Sequence, residues 1–106
     1  MSEDPASSVA VTLSIVPSLE ERMIDWLLDR DDVAGFTACT VQAHSTDARI
    51  LSVAEQVSGR QRRLELRLEL ATTALDGWLD TLQRTFGGAD VHYFVTPILR
   101  AGRLRP

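Results

Sequence analysis

Arginines and a glycine pair are the residues in this sequence whose types and placement most suggest a binding site. Arginines flank a long irregular segment in the middle of the chain and recur near its end, and a Gly-Gly pair precedes the last predicted strand. A guanidinium group offers parallel N–H donors that match phosphate or carboxylate, and glycine lets backbone amides approach an anion. The residues that predict an anion site are Arg60, Arg62, Gly87, Gly88, Arg100 and Arg103.

The same arginines are also explained by a solvated loop and tail without any ligand. All eleven basic residues are arginine, so arginine stands wherever a basic residue is needed. The absence of lysine excludes Schiff-base enzymes, pyridoxal phosphate enzymes and Walker-type nucleotide sites. No Gly-x-Ser-x-Gly motif is present, and no nucleophile with an adjacent base is visible. We therefore expect a protein that is not an enzyme.

Two histidines and a lone cysteine are the candidates for a metal site. His44 and His92 each lie in a predicted strand, and Cys39 is five residues before His44. No His-x-His or Cys-x-x-Cys spacing is present, and an odd spacing puts Cys39 and His44 on opposite faces of a strand. One interpretation is a divalent or transition metal held by His44 and His92 from different subunits. The other is a small buried cysteine and histidines at a surface or interface.

Four segments have the pattern of strands. Apolar and polar residues alternate in the first, and four leucines alternate with charged residues in the third, so each of these two buries one face. The segment between the second and third strands has no clean period, and we expect a flexible loop at 46–60. The predicted strands are 9–15, 36–44, 63–70 and 91–97.

Two segments have helical spacing of apolar residues and start signals. Ser18 and Glu21 fit a capping box, which predicts a helix that fades at Asp31-Asp32. Thr72 or Thr73 is expected to cap a second helix, with Gly87 at its C-terminal end. The order of elements predicts an α+β fold of the ferredoxin-like βαββαβ type, a four-stranded antiparallel sheet with two helices on one face.

The other face of this sheet is predicted to be open, polar and nearly neutral. The alternating charges on this face are compatible with a monomer whose open face is solvent-exposed. They are equally compatible with an oligomer in which another copy covers the face. The residues expected there are Thr12, Ser14, Arg63, Glu65, Arg67, His92, Phe94 and Thr96.

Length and composition predict one globular domain. The 106 residues are 44% hydrophobic and 25% charged. We expect a disordered lead-in at 1–7, a single domain at 8–106 and a basic tail at 99–106. The net charge of −4 argues against nucleic-acid binding. The chain has no signal-peptide pattern and no apolar run of about 18–20 residues, so we expect a cytoplasmic protein without direct membrane insertion.

Two longer motifs resemble a known family. The segment LSVAEQVSGR at 51–60 and the segment GADVHYFVTPI at 88–98 are similar to a proteobacterial PII-like family of unknown function, within the superfamily of the nitrogen regulatory protein PII. The opening Val-Pro-x-Leu-Glu-Glu and the Asp-Trp-Leu-Leu at 25–28 fit this family as well. The likeness therefore spans nearly the whole chain after its first residues.

The resemblance implies a homotrimer with ligand clefts between subunits, in which adenine nucleotides bind near the glycine turn and C-terminal arginines. It also implies signalling to a partner through the loop after the second strand, at Leu51, Ser52, Glu55 and Gln56. Relatives are often encoded beside heavy-metal efflux pumps, so a membrane transporter is the expected partner. Two alternatives stay open, namely a metal-binding protein similar to the divalent-cation tolerance trimers and a purely structural partner module.

Overall fold

The strands and helices follow each other in the predicted order β-α-β-β-α-β. The structure is a computed structural model that describes residues 7–44 and 60–106. Its four-stranded antiparallel sheet and two helices confirm the ferredoxin-like α+β fold. The elements are β1 (Ser8–Ile15), α1 (Glu20–Leu28), β2 (Phe36–His44), β3 (Arg60–Ala71), α2 (Leu75–Phe86) and β4 (Val91–Pro97).

The sheet has the order β2-β3-β1-β4, with the first and third strands at its centre as predicted. On one side of β1, Ile15 pairs with Leu64, and on the other side it pairs with Val91. The C-terminal end of β1 therefore lies between the beginnings of β3 and β4. β2 and β4 are the two edge strands of the sheet.

Both helices pack on one face of the sheet, because alternate residues of the central strands are apolar. Val11, Leu13 and Ile15 of β1 are fully buried, as is Leu66 of β3. Burying a leucine or isoleucine side chain stabilises a fold by about 1.5–3 kcal/mol before entropy costs are counted. The helices complete this core with Met23, Leu27, Trp78, Leu82 and Phe86.

Aromatic contacts fix the two helices to each other. The Trp26 ring lies 5.6 Å from the Trp78 ring and 5.5 Å from the Phe86 ring, the latter edge to face. Arg22 of α1 lies over Phe86 and donates a hydrogen bond to the carbonyl oxygen of Thr85 at 3.0 Å. A positive charge beside the carbonyl oxygens of the last turn stabilises a helix, because those oxygens carry its partial negative charge. These contacts hold the C-terminal end of α2 in place.

The predicted helix starts are wrong in detail. A 3-10 turn at Pro17–Leu19 precedes α1, and Leu19 takes the cap position without a side-chain hydrogen bond, so Ser18 and Glu21 form no capping box. A second 3-10 turn at Thr72–Ala74 likewise precedes α2, which Ala74 caps. In both places a tighter turn bonds its own backbone before the α-helix begins.

Strand β3 begins three residues earlier than predicted. Its register places Arg62 opposite Gln42 and Arg60 opposite His44, so both arginines are strand residues rather than loop residues. Because β1 ends at Ile15 opposite Leu64, the last residues of β2 and the first residues of β3 extend past β1. We call this extension, residues 41–44 and 60–63, the ribbon. The predicted loop residues Leu51, Ser52, Glu55 and Gln56 lie outside the described residues.

Helix α2 ends in a tight glycine turn, as predicted. The Gly87 amide donates to the carbonyl of Gln83 at 2.8 Å, and the Ala89 amide donates to that of Phe86 at 2.9 Å. Between them Gly88 has φ +89°, a conformation that costs a residue with a Cβ atom about 1–2 kcal/mol. A Cβ atom on Gly87 would lie 2.5 Å from the Gln83 carbonyl oxygen.

A comparison of two glycine substitutions tests this turn. We expect Gly87→Ala to lower the free energy of unfolding by about 1–3 kcal/mol, because the new methyl group meets a backbone oxygen. Gly77→Ala, in the first turn of α2 with open space around it, is expected to raise that free energy by up to about 0.5–1 kcal/mol. Urea unfolding at one protein concentration measures both. Equal effects of the two substitutions would contradict the turn geometry.

Candidate ligand-binding site

The ribbon, the end of β1 and the glycine turn all lie at one end of the sheet. β2 ends there at His44 and β1 at Ile15, while β3 and β4 begin there. We call it the ribbon end. The anion-site residues Arg60, Arg62, Gly87 and Gly88 all belong to this end of the molecule, on different strands and turns.

A cavity of about 300 Å³ lies beside the glycine turn, between α2 and the edge strand β4. Its lining combines apolar side chains with polar groups, which are the carboxylate of Asp80, the carboxamide of Gln83, the hydroxyl of Tyr93 and the turn backbone. The Gly88 amide makes no backbone hydrogen bond to any described residue. No arginine or histidine is among the residues that line the cavity, which are Leu79, Asp80, Leu82, Gln83, Phe86, Gly87, Gly88, Ala89, Val91 and Tyr93.

Arg63 forms a buried polar network at the ribbon end. Its side chain crosses the end of β1, where Nε donates to Ser14 Oγ at 2.7 Å and Nη2 donates to the Ser14 carbonyl oxygen at 2.9 Å. Nη1 donates to Gln61 Oε1 at 2.9 Å and to Asp90 Oδ2 at 3.0 Å, and Nη2 also reaches the Asp90 carbonyl oxygen at 3.2 Å. Every N–H of the guanidinium therefore has an acceptor. Arg63 ties β3, β1 and the start of β4 together.

Asp90 is held between Arg63 and His92. Its Oδ2 accepts from Arg63, and its Oδ1 lies 3.0 Å from Nε2 of His92. Partial burial acts to raise the pKa of Asp90, but the hydrogen bond and charge of Arg63, assisted by His92, outweigh it and hold that pKa below its usual value. Asp90 is therefore a charged residue at neutral pH, and it fixes the segment between the glycine turn and β4.

The sequence predicts Arg63 on the open face, either solvated or covered by another copy, and the structure differs because Arg63 is covered within its own chain. Arg63 does lie on that face, but only 6% of it is exposed, because its charge is paired and hydrogen-bonded. A signal was present in the sequence, since Ser14, Arg63 and His92 were all expected on the same face. The β1–β3 and β1–β4 registers, which bring them to one end, became visible only in the structure.

The ribbon arginines share one face. Arg60 Nη1 donates to Gln42 Oε1 at 3.3 Å, and Arg62 pairs directly with Gln42 in the strand register. Alternate residues of a strand point to the same face, so Arg60 and Arg62 lie on the same side of β3 as Leu64 and Leu66. That side is the helix side of the sheet, and the two arginines lie on it past the end of β1. Arg60 and Arg62 are thus near each other and two strands away from β4.

The tail arginines are not brought to the glycine turn within one chain. β4 runs from Val91, paired with Ile15, to Pro97, paired with Val9, so the tail leaves the sheet at the end opposite the ribbon end. Arg100 and Arg103 are exposed there. The six predicted anion-site residues therefore fall into three separate groups, which are Arg60 with Arg62, Gly87 with Gly88, and Arg100 with Arg103.

The predicted metal ligands are far apart in one chain. His44 lies on edge strand β2 and His92 on edge strand β4, and their registers put them on opposite faces of the sheet. Cys39 is exposed on the open face, not buried as one interpretation of the sequence had it. Among residues 7–44 and 60–106 no three histidine, cysteine or acidic side chains form a group that could hold a metal ion.

Neither described helix is long and apolar enough to cross a lipid bilayer.

Comparison with known proteins shows the family of this chain. Residues 6–105 match DUF3240, a family of proteins of unknown function, and the chain therefore belongs to this family. No match was found among curated proteins. A crystal structure of a DUF3240 family protein from Shewanella baltica has the same fold, with a TM-score of 0.75 and 15% sequence identity. The alignment covers 99% of this chain and 100% of that chain.

Substitution of Arg63 and, as a control, of Arg67 on the same face of β3 tests the Arg63 network. We expect Arg63→Gln to lower the free energy of unfolding by about 1–3 kcal/mol, since it removes a buried guanidinium and leaves partly buried acceptors without donors. Arg67→Gln is the matched control, because Arg67 is exposed on the same strand face, and its effect should stay within about 0.5 kcal/mol. Chemical unfolding measures both. Similar effects would mean that Arg63 is not a structural tie.

The lowered pKa of Asp90 predicts a pH dependence of stability. A carboxyl group whose folded pKa lies below its unfolded pKa adds stability above the unfolded value, near pH 4, and loses it as pH falls through the folded value. Asp90→Asn should therefore lower stability at pH 7 and bring the variant close to the wild type at the acidic limit. Unfolding curves from pH 7 to pH 2 test this. A constant difference across that range would contradict it.

Proposed function

We propose that this DUF3240 protein is a non-enzymatic, PII-like regulator that binds a small anionic ligand between subunits of a homotrimer. The observation that carries the proposal is the cavity beside the glycine turn, which offers a backbone amide and both apolar and polar lining groups, but no basic residue among the described residues that line it. Such a site suits a ligand with a flat apolar part and an anionic part, and an adenine nucleotide has both. The missing positive charge then comes from the tail of a second copy.

The polar groups of the cavity support this ligand class. The Asp80 carboxylate and Gln83 carboxamide can accept hydrogen bonds from the amino group of a heterocycle, while the leucines and Phe86 contact its ring. The Gly88 amide can donate to a phosphate oxygen, because it makes no backbone hydrogen bond to any described residue. Arg100 and Arg103 of a neighbouring copy would pair with the same phosphate.

The open face of the sheet supports the assembly. No described element covers it, and Phe94 on its edge strand β4 is 63% exposed. Cys39 and Thr96 are exposed on the same face. A half-covered sheet is usually completed by another layer, and closed rings of identical chains supply one. We place the subunit interface of the trimer on this face.

The regulatory output is assigned to the ribbon. It leads into residues 45–59, the segment that the resemblance links to partner binding, and it is anchored through Gln61 to Arg63. Arg63 also holds Asp90, which follows the glycine turn. A ligand at the turn can therefore act on the ribbon through one side chain. We propose a membrane transporter, such as a metal efflux pump, as the partner of this cytoplasmic protein.

Calorimetric titration with ATP, ADP and AMP tests the ligand. We expect at least one of them to bind, and the paired substitution Arg100→Ala and Arg103→Ala to weaken it by about 10- to 100-fold, as loss of charged hydrogen bonds does. The control Arg84→Ala removes an exposed arginine of α2 that bonds only within its helix. No heat with any of the three nucleotides would refute nucleotide sensing.

Size-exclusion chromatography with light scattering tests the assembly. We expect a particle with three times the 11.7 kDa mass of one chain. Phe94→Glu should break it into monomers, because it replaces an exposed aromatic side chain of the proposed interface with a charge. Leu28→Glu changes an equally exposed apolar residue on α1 and should leave the mass unchanged. A wild-type monomer would refute the intersubunit site.

A further inference from the structure

We propose that a second cavity, on the open face of the sheet, binds a free α-amino acid with an apolar side chain. The cavity has a volume of about 380 Å³. It lies where β1 and β2 begin, at the end of the sheet opposite the ribbon end. It shares no lining residue with the cavity beside the glycine turn, so the two cavities are separate sites.

Two side chains of opposite charge line this second cavity. Arg67 and Glu69 are two residues apart on β3, so both lie on the open face, with their Cα atoms about 7 Å apart. Both are exposed, and neither makes a hydrogen bond or an ion pair with any other described residue. The cavity therefore presents one cationic and one anionic group that can both bind a ligand.

A small zwitterion is complementary to these two groups. The guanidinium of Arg67 can hold a carboxylate through two parallel N–H donors, and the Glu69 carboxylate can accept hydrogen bonds from an ammonium group. An α-amino acid carries both groups on one carbon atom, so a single molecule can contact both side chains. The Thr37 hydroxyl also lines the cavity, directly opposite Arg67 in the strand register, and adds a further donor or acceptor.

The cavity also has an apolar part, which assigns an apolar side chain to the ligand. Among its lining residues Leu68 is buried, and Phe36 and Ile98 are half-buried. The Ile98 amide donates to the Ser8 carbonyl oxygen at 3.2 Å, so the wall on the side of the tail is fixed to β1. Apolar surface combined with a few polar groups is typical of small-ligand sites. Leucine is an amino acid of this class.

In the proposed trimer this ligand would be enclosed, and in that respect alone the inference rests on the proposed function. The open face is the proposed subunit interface, so a bound amino acid would lie between neighbouring copies. Binding itself needs only one chain, because Thr37, Arg67 and Glu69 all belong to the same chain.

Amide NMR spectra of the isotopically labelled wild-type protein, recorded during titration with L-leucine, test the site. We expect the amide signals of Thr37, Glu69 and Ile98 to shift, while the signal of Gly88 at the other cavity stays unchanged. Because the two charged residues are exposed to solvent, we expect a dissociation constant of about 0.1–1 mM. No shifts at about 10 mM L-leucine, or shifts at the glycine turn alone, would overturn the proposal.

Two analogues of leucine test whether both charges of the ligand are used. Isocaproate has the carboxylate but no ammonium group, and isoamylamine has the ammonium group but no carboxylate. Each should bind about ten-fold more weakly than L-leucine or worse, because each leaves one charged side chain without its partner. If isocaproate or isoamylamine binds as tightly as L-leucine, the site recognises a single charge, and the proposal is overturned.

Substitutions on one face of β3 test the roles of the two charged residues in the same titration. Arg67→Gln and Glu69→Gln should each weaken binding of L-leucine by about ten-fold or more. Glu65→Gln is the matched control, because it removes the same charge from the same face of β3, but Glu65 does not line the cavity. It should change the affinity by less than about two-fold. Equal effects of Glu65→Gln and Glu69→Gln would overturn the proposal.

The outcome for this cavity is separable from the outcome for the proposed function. Leucine binding by a protein that takes up no nucleotide would support the amino-acid site and refute nucleotide sensing. A trimer that binds nucleotide but shows no shifts with L-leucine would overturn the amino-acid site and leave the proposed function standing.

Discussion

The buried guanidinium of Arg63 is the interaction on which the ribbon end of this molecule depends. It lies on the open face of the sheet, where a charged side chain would ordinarily be solvated, and it is covered because each of its N–H groups finds an acceptor. Those acceptors belong to β1, to the ribbon and to the segment after the glycine turn. One residue thus connects the proposed ligand site with the proposed output segment, and a buried paired charge defines their relative positions.

The core gives this network a rigid support. Alternating apolar residues of β1 and β3 bury one face of the sheet against both helices, and the contact of Trp26 with Phe86 holds the end of α2. The glycine turn follows directly from that end, with Gly87 pressed against the last helical turn and Gly88 at positive φ. The position of the cavity is therefore set by packing, while its chemical character is set by the few polar groups at its rim.

Much of the fold could be predicted from the sequence, because period-two and helical patterns report directly on burial. The leucines of β3 and the Gly87 position are examples. The helix caps at Ser18 and Thr72 could not, since 3-10 turns and cap signals use the same residue types. The Arg63–Asp90 pair joins residues 27 positions apart and depends on strand register, which a single sequence does not specify. The arginines predicted to share a site are separated for the same reason.

In the proposed function, the ligand site of this protein is formed between copies of the chain. Native mass spectrometry of the wild-type protein with increasing ATP or ADP tests it most directly, because the technique counts subunits and ligands in the same particle. We predict a trimer that takes up as many as three nucleotides, with no nucleotide on any monomer. A monomer that binds nucleotide by itself, or a trimer that stays empty at saturating nucleotide, would contradict the claim.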